Sequence, residues 1–504
     1  MLAPVLSPRS FPAHRHAPHA NREPSTWRCG PARLGQVALS ALVIVSVAAC
    51  GGGGNGGSSL PAFWAATPAP APPASPEAPA PAAPTPTYKV SGTVKGLLGT
   101  GLVLQNNAGD DLRIAADGSF SFASEVASGA GYAVTVKSQP RILTRVCTVS
   151  HGTGTVADAA IADVAVVCAA PAARFAYATN SGSDNLFPYT VDASTGALGS
   201  MAAPMLGTGP NPLAITVDPT GRFAYVANSG DSTVSAYAIG AGTGVLTPFA
   251  TVATGAMPMS MAVDPTGRFA YVANAGASTV SAYTIDAATG AWRPMAVPVV
   301  AAGSSPHTIT VDPTGRFAYV TNLGAEAVSA FAIDAGSGAL SPLAVPTVPA
   351  GVGASAMTLD PLGRFAYVVN MVDDTVSTYA IDASSGVLTP MPTVATGRSP
   401  RAIAVDATGR FAYVVNMAGN TVSAYRIDAG TGALTPMAMP TVAARASPTA
   451  IALDPTGRFA YVTNYVSKDV SAYTIDADTG ALAPMAVPAV ATGGIGPTSL
   501  ALSR

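Results

Sequence analysis

The sequence predicts an all-β chain, and three observations carry that prediction. The word RFAY begins at Arg174, Arg222, Arg268, Arg316, Arg364, Arg410 and Arg458, at spacings of 48, 46, 48, 48, 46 and 48 residues. Each interval holds short runs rich in Val, Tyr, Phe and Thr, separated by turn words built from Asp, Pro, Ser and Gly. A period of about 40–50 residues with four strand-like runs per unit is the sequence sign of a β-propeller. Seven repeats predict seven blades.

Within one unit, HTITV (307–311) reads as the first strand and RFAYVTN (316–322) as the second. AVSAFAID (327–334) follows as the third, and a fourth runs through ALSPLAV (339–345). The joints explain the repeated words. In DPTG the Asp side chain caps the turn, Pro supplies φ near −65°, and Gly takes a positive φ. Words such as DAGSG and DAATG do the same between strands three and four. Asn180, Asn228, Asn274, Asn322, Asn370, Asn416 and Asn464 end strand two in every unit, and their amides are expected to satisfy backbone groups of the following loop.

Closure follows from counting. The first RFAY lacks a preceding strand of the xIxVD type, while the chain ends in TSLALSR, such a strand with no RFAY after it. Residues 498–502 are therefore expected to complete the first blade as its innermost strand, placing the propeller over 171–504 and leaving no open inner edge. Ahead of it, residues 88–168 read as short strands with a strong hairpin signal at Asp117-Gly118, predicting a small sandwich similar to immunoglobulin-like modules. Cys147 and Cys168 lie in valine-rich runs there, and a disulfide between neighbouring strands is expected.

The N-terminal residues carry a different message. Arg9, Arg15, Arg22, Arg28 and Arg33 precede an apolar run, Val37 to Ala49, that is too short to span a bilayer and ends VAAC at Cys50. VAAC resembles the lipobox of bacterial lipoproteins. That resemblance implies a signal peptide over 1–49, lipidation of Cys50 and a membrane anchor. Gly at position 51 points to the outer membrane of a Gram-negative cell envelope. The length of the stretch ahead of the apolar run suggests a translation start further downstream. Residues 50–87 then form a tether, Gly-rich at first and afterwards TPAPAPPASPEAPAPAAPTPT, a semi-rigid spacer reaching about 60 Å.

With 49% apolar and 10% charged residues, the composition fits a folded body. A net charge of −2 and no basic cluster past the N-terminal segment exclude nucleic acid as a partner. No phosphate loop, nucleophile elbow or zinc-spaced cluster occurs. The mature part has only His151 and His307 to offer a haem or another cofactor, so no cofactor and no metal is expected. Asp373 and Asp374 could hold calcium only with further oxygen ligands, which the neighbouring sequence does not supply. A monomer is expected.

The repeated RFAYVTN, RFAYVAN and TVSAYxID, set in a ring of seven with DPTGR, resemble the YVTN-type repeats of the lactonase-like, 6-phosphogluconolactonase-like propeller family. The resemblance covers about residues 174–504 and implies polar and charged groups around the mouth of the central channel. Only His307, in PHTITVDPTGRFAYV, carries across to the family pattern.

Strand direction sorts the loops onto two rims. The one–two and three–four turns share a rim of near-invariant words, whereas the two–three and four–one loops share a rim where the copies differ. Function is sought on the second. Strand one opens there with Leu213, Met259, His307, Ser355, Arg401, Thr449 and Thr498 at equivalent places. The candidate ligand-binding rim comprises Met259, Ser355, Glu326, Asp373, Asp374, Arg398, Tyr465 and Lys468, and a basic patch of Arg398, Arg401 and Arg445 would suit an anionic ligand. One expectation is a binding scaffold for a protein, glycan or small molecule. The alternative is lactone hydrolysis, with His307 as general base and Arg401 stabilising the oxyanion.

Overall fold

The computed structural model describes residues 84–97, 101–140, 145–169, 171–201 and 205–504. The signal run, Cys50 and nearly all of the tether lie outside the described residues. Among the described residues no helix is long and apolar enough to cross a membrane.

Residues 88–169 form two four-stranded sheets. One is ordered Gly118–Ser121, Val90–Lys95, Ile161–Ala169, Val146–Ser150; the other is Asp110–Ile114, Leu102–Asn106, Gly131–Ser138, Thr153–Thr155. Alternation along Val90–Lys95 and Leu102–Asn106 sends Val90, Val94, Leu102 and Leu104 into one core with Phe120, Phe122 and Val134. Cys147 and Cys168 are bonded directly across an antiparallel pair. As expected, the disulfide staples neighbouring strands.

From residue 171 the chain builds seven antiparallel sheets in succession, six of four strands and a first one whose outer edge is split into Leu198–Ser200 and Leu206–Gly207. In the fourth blade the order from the inside is Pro306–Val311, Phe317–Asn322, Ala327–Ile333, Leu340–Pro349. The first blade takes its innermost strand from the other end of the chain. Pro497–Ser503 pairs with Phe175–Asn180, Phe175 opposite Ser503 and Tyr177 opposite Ala501. Each innermost strand touches the next around the ring, and the last returns to the first.

Second strands are buried along their whole length, because a blade packs on either face. Their words therefore serve the spaces between blades. Phe317 and Tyr319 pack with Val328, Val368 and Tyr379 in the layer between blades four and five. The Tyr319 hydroxyl donates to Gly386 O of the next blade at 2.7 Å, and the equivalent bond from Tyr461 to Gly196 O (2.7 Å) crosses the closing seam. Arg316 stacks over Phe317, 5.0 Å from the ring centroid, and reaches Ala383 O of the next blade. Every RFAY word repeats this stacking.

The turn chemistry matches expectation. One oxygen of Asp312 accepts the N–H groups of Arg316 and Phe317, each at 2.7 Å; the other accepts Thr314 N at 3.0 Å and the Thr314 hydroxyl. Gly315 has φ +71°, where a side chain would be strained. The asparagines correct one expectation. Asn416 Nδ2 donates to the hydroxyls of Thr421 (3.0 Å) and Ser423 (2.8 Å), so these amides chiefly tie strand two to side chains of strand three.

The 46- and 48-residue spacings also acquire a cause. Blades two and five end in eight-residue outer strands, Leu246–Ala253 and Leu388–Ala395. Blades three, four and six end in ten-residue strands, Trp292–Ala301, Leu340–Pro349 and Leu434–Ala443. Prolines such as Pro294 and Pro298 punctuate these edges, which blunts pairing with other chains.

Candidate functional site at the channel mouth

The second residue of each innermost strand lies where the two–three and four–one loops converge. Leu213, Met259, His307, Arg401, Thr449 and Thr498 line a cavity of about 180 Å³ at that mouth, together with residues one place further in, such as Ser260 and Thr308. The order round the ring is the order of the blades, so polar and apolar groups fall into arcs. Leu213 and Met259 are neighbours. Arg401 stands three blades from each of them, in opposite directions, and so faces both across the mouth.

His307 and Arg401 meet although 94 residues separate them. Arg401 Nη1 donates to His307 Nε2 at 3.1 Å, and His307 Nδ1 lies 3.0 Å from Ser355 O. A carbonyl only accepts, so Nδ1 carries the proton and Nε2 presents its lone pair to the guanidinium. Burial, then the Arg401 charge, pulls the imidazole down to about 3, against a smaller opposing effect of the Ser355 carbonyl. At neutral pH it is an uncharged ring. Blade five, between the two, makes room: Ser355 is fully buried, its hydroxyl 3.5 Å from Val369 O, and only the small Ala356 faces the cavity.

Arg401 is the unusual group. Burial lowers its pKa, and among the described residues neither an ion pair nor any hydrogen bond besides the one to His307 holds its guanidinium. Buried charges are ordinarily paired. Two of the hydroxyls nearby are already committed, Thr449 donating to Pro497 O and Thr498 to Pro212 O, each at 2.9 Å.

Other candidates sit further out. Asp373 accepts Val352 N at 2.7 Å, and Asp374 accepts Ser399 N at 2.6 Å from a left-handed backbone. These carboxylates lock loop to loop, as Asp184 does for Asn211 N and Asn420 for Ser447 N. Among the described residues no cluster of three or more side chains could hold a metal ion. Glu326 and Lys468 are exposed in the same left-handed turn position. Arg398 and Tyr465 are also exposed on the rim. Arg445 is paired with Asp469 at 2.8 Å, which removes it from a free basic patch. Sequence reasoning did not anticipate the Ser355 carbonyl or the contact across blade five. The one signal for the latter was that His307 and Arg401 are the sole ionisable residues in the equivalent set.

A closed ring of seven blades with one variable mouth defines a seven-bladed β-propeller. The model of the family described as "Lactonase, 7-bladed beta-propeller" matches residues 200–303 and 297–495, more than half of the chain. The chain belongs to that family. Among solved structures, a candidate 6-phosphogluconolactonase from Bacteroides fragilis NCTC 9343 aligns at 21% identity and TM-score 0.59, covering 66% of this chain and 98% of the other. The Pseudomonas aeruginosa periplasmic gluconolactonase PpgL aligns at 20% identity and TM-score 0.59, covering 66% and 99%. A Lactobacillus plantarum protein aligns at 22% and 0.57, covering 66% and 100%. At such identities the likeness is one of fold. No curated protein matches the chain.

Proposed function

We propose that this chain is a lactone hydrolase acting at the channel mouth. The observation that carries this reading is the contact between Arg401 and His307, from blades six and four, inside the cavity of a lactonase-family propeller. The neighbours' names, a gluconolactonase and a candidate 6-phosphogluconolactonase, favour hydrolysis over a purely structural scaffold.

In this reading Arg401 turns an N–H to the lactone carbonyl and holds the oxyanion that forms when water attacks the carbonyl carbon. That turn releases His307 Nε2, which takes the proton from the attacking water. The oxyanion offsets the guanidinium charge, so the imidazole becomes a better base as the proton leaves. Collapse of the intermediate breaks the ring C–O bond, and the proton passes to the departing oxygen. The products are the opened hydroxy acid and the unchanged enzyme.

The test is pH-stat hydrolysis of a lactone panel by the purified chain, His307→Ala and Arg401→Gln. Turnover by the parent that falls in both variants supports the assignment; equal rates in all three refute it. The engaged Nε2 lone pair favours a second reading, a binding propeller that holds a small anion without turning it over. Ligand binding with no hydrolysis would select it.

Lipid anchoring through Cys50 belongs to the same proposal. It is supported by VAAC and by a Cys147–Cys168 disulfide suited to an oxidising envelope. Radiolabelled palmitate incorporated by the parent and absent from Cys50→Ala is the expected result.

A further inference from the structure

His307 is held from two sides. Arg401 donates to its Nε2, and the Ser355 carbonyl faces its Nδ1. In the hydrolase reading Arg401 turns to the substrate carbonyl, so during turnover the Ser355 carbonyl alone keeps the proton on Nδ1 and leaves the Nε2 lone pair open. Whatever fixes that carbonyl therefore sets the base.

The strand ladder of blade five does not fix it. Six innermost strands begin with proline and skip one residue between their first two pairings with strand two, as blade four does between Pro306–Asn322 and Thr308–Thr321. Blade five begins with Ala354 and skips two, Ser355 and Ala356, between Ala354–Asn370 and Met357–Val368. The Ser355 hydroxyl reaches Val369 O only at 3.5 Å. Its carbonyl is gripped from blade four, where the buried Thr321 hydroxyl donates to it at 2.7 Å while accepting Thr308 N at 3.0 Å.

Threonine stands at the place of Thr321 in two other blades, and there it bonds within its own blade. Thr179 meets the Thr498 hydroxyl at 3.1 Å, and Thr463 meets that of Thr449 at 2.9 Å. Where His307 takes the place of that hydroxyl, the threonine reaches across to the next blade instead.

We infer that Thr321 is a positioning residue for His307: it clamps the Ser355 carbonyl against Nδ1 and so keeps Nε2 unprotonated when Arg401 lets go. The kinetic consequence rests on the hydrolase reading; the tautomer does not.

The experiment reads the His307 tautomer by nitrogen-15 NMR of the full chain labelled on histidine, at about pH 8, above the ordinary histidine value. Loss of the signal in His307→Gln assigns it. Arg401→Ala removes the hold on Nε2 and should leave the Nδ1–H form. Adding Thr321→Val should bring the Nε2–H form to about half or more of the population, and adding Thr321→Ser instead should not. With Arg401 in place, Thr321→Val should lower kcat on a hydrolysed lactone by about tenfold, part of the roughly 10²–10⁴-fold that a positioned base contributes. KM should stay nearly constant, and Thr321→Ser should recover kcat. Val occupies this place in blades five and six (Val369, Val415) and Ala in blades two and three (Ala227, Ala273), so the scaffold accepts either. Thr321→Ala replaces the Val variant if the latter does not fold. A pure Nδ1–H form in Arg401→Ala/Thr321→Val overturns the inference, as does a mixture already present in Arg401→Ala. So does an active enzyme whose kcat Thr321→Val leaves unchanged. A tautomer shift with no lactone opened by the parent upholds the inference and removes the hydrolase.

Discussion

The two rims of the propeller use the same residue types for opposite ends. On the rim of one–two turns, Asp218, Asp264, Asp312, Asp360, Asp406 and Asp454 are buried, and the Arg that directly follows each turn stacks on its Phe and grips the next blade. Charge there is satisfied six times over by local hydrogen bonds. On the other rim Arg401 occurs once, at a position held by Leu, Met, His, Ser and Thr in the other blades, and its guanidinium has one neutral partner. The contrast separates a charge that holds the ring together from one that the fold leaves without a charged partner.

Removing each kind of charge should break the molecule differently. The largest effect is expected at the mouth. Arg401→Gln should lower kcat/KM on any hydrolysed lactone by about 10²–10³ while leaving the thermal midpoint unchanged or raised, since a mostly buried, unpaired cation is lost. A collapse of the midpoint would instead assign Arg401 to the scaffold. Asp312→Ala should do the reverse. It strands the N–H groups of Thr314, Arg316 and Phe317, costing about 3 kcal/mol in urea unfolding, with kcat/KM per folded molecule unchanged. Tyr319→Phe deletes one buried interblade hydrogen bond, at about 1 kcal/mol. The same change at Tyr461, across the seam, should cost as much if the C-terminal strand closes the ring as tightly as the chain does elsewhere. A much smaller cost at Tyr461 would identify a loose seam.

The scaffold rim was legible in the sequence because its physics is local. Asp, Pro, Thr and Gly act within five residues of one another, and repetition displays the rule several times. The disulfide was legible for a similar reason, two cysteines in strand-like runs with no other partner. The site was legible only as a set of positions. Nothing in PHTITV or PRAIAV says that the side chains of blades four and six will meet, because the contact skips blade five and depends on the burial of Ser355. Asp373 and Asp374 look like metal ligands in a row, yet they act through backbone N–H groups about 21 and 25 residues away. Asparagines that seemed to serve the loop were drawn instead to hydroxyls on the adjacent strand, which alternation places beside them.

A further effect separates the rims along the pH axis. His307 falls from about 6.5 unfolded to about 3 folded. Between those values the unfolded chain binds the additional proton, so stability rises with pH, is complete above about 6.5 and is lost progressively as pH falls toward about 3. The scaffold rim titrates lower. Asp286, Asp334, Asp382 and Asp428 are each held below the usual carboxylate range, chiefly by hydrogen bonds from the Thr or Ser residues of their own turns. Their contribution is present above about 4 and lost as pH falls through their folded values. His307→Gln keeps an acceptor for Arg401 but cannot take a proton. Its thermal midpoint should therefore change less than the parent's between pH 6.5 and about 3, and the two should fall in parallel below that. Equal slopes between pH 6.5 and 3 would mean that burial and Arg401 do not hold the imidazole neutral, and the mouth would then be as well solvated as the rim around it.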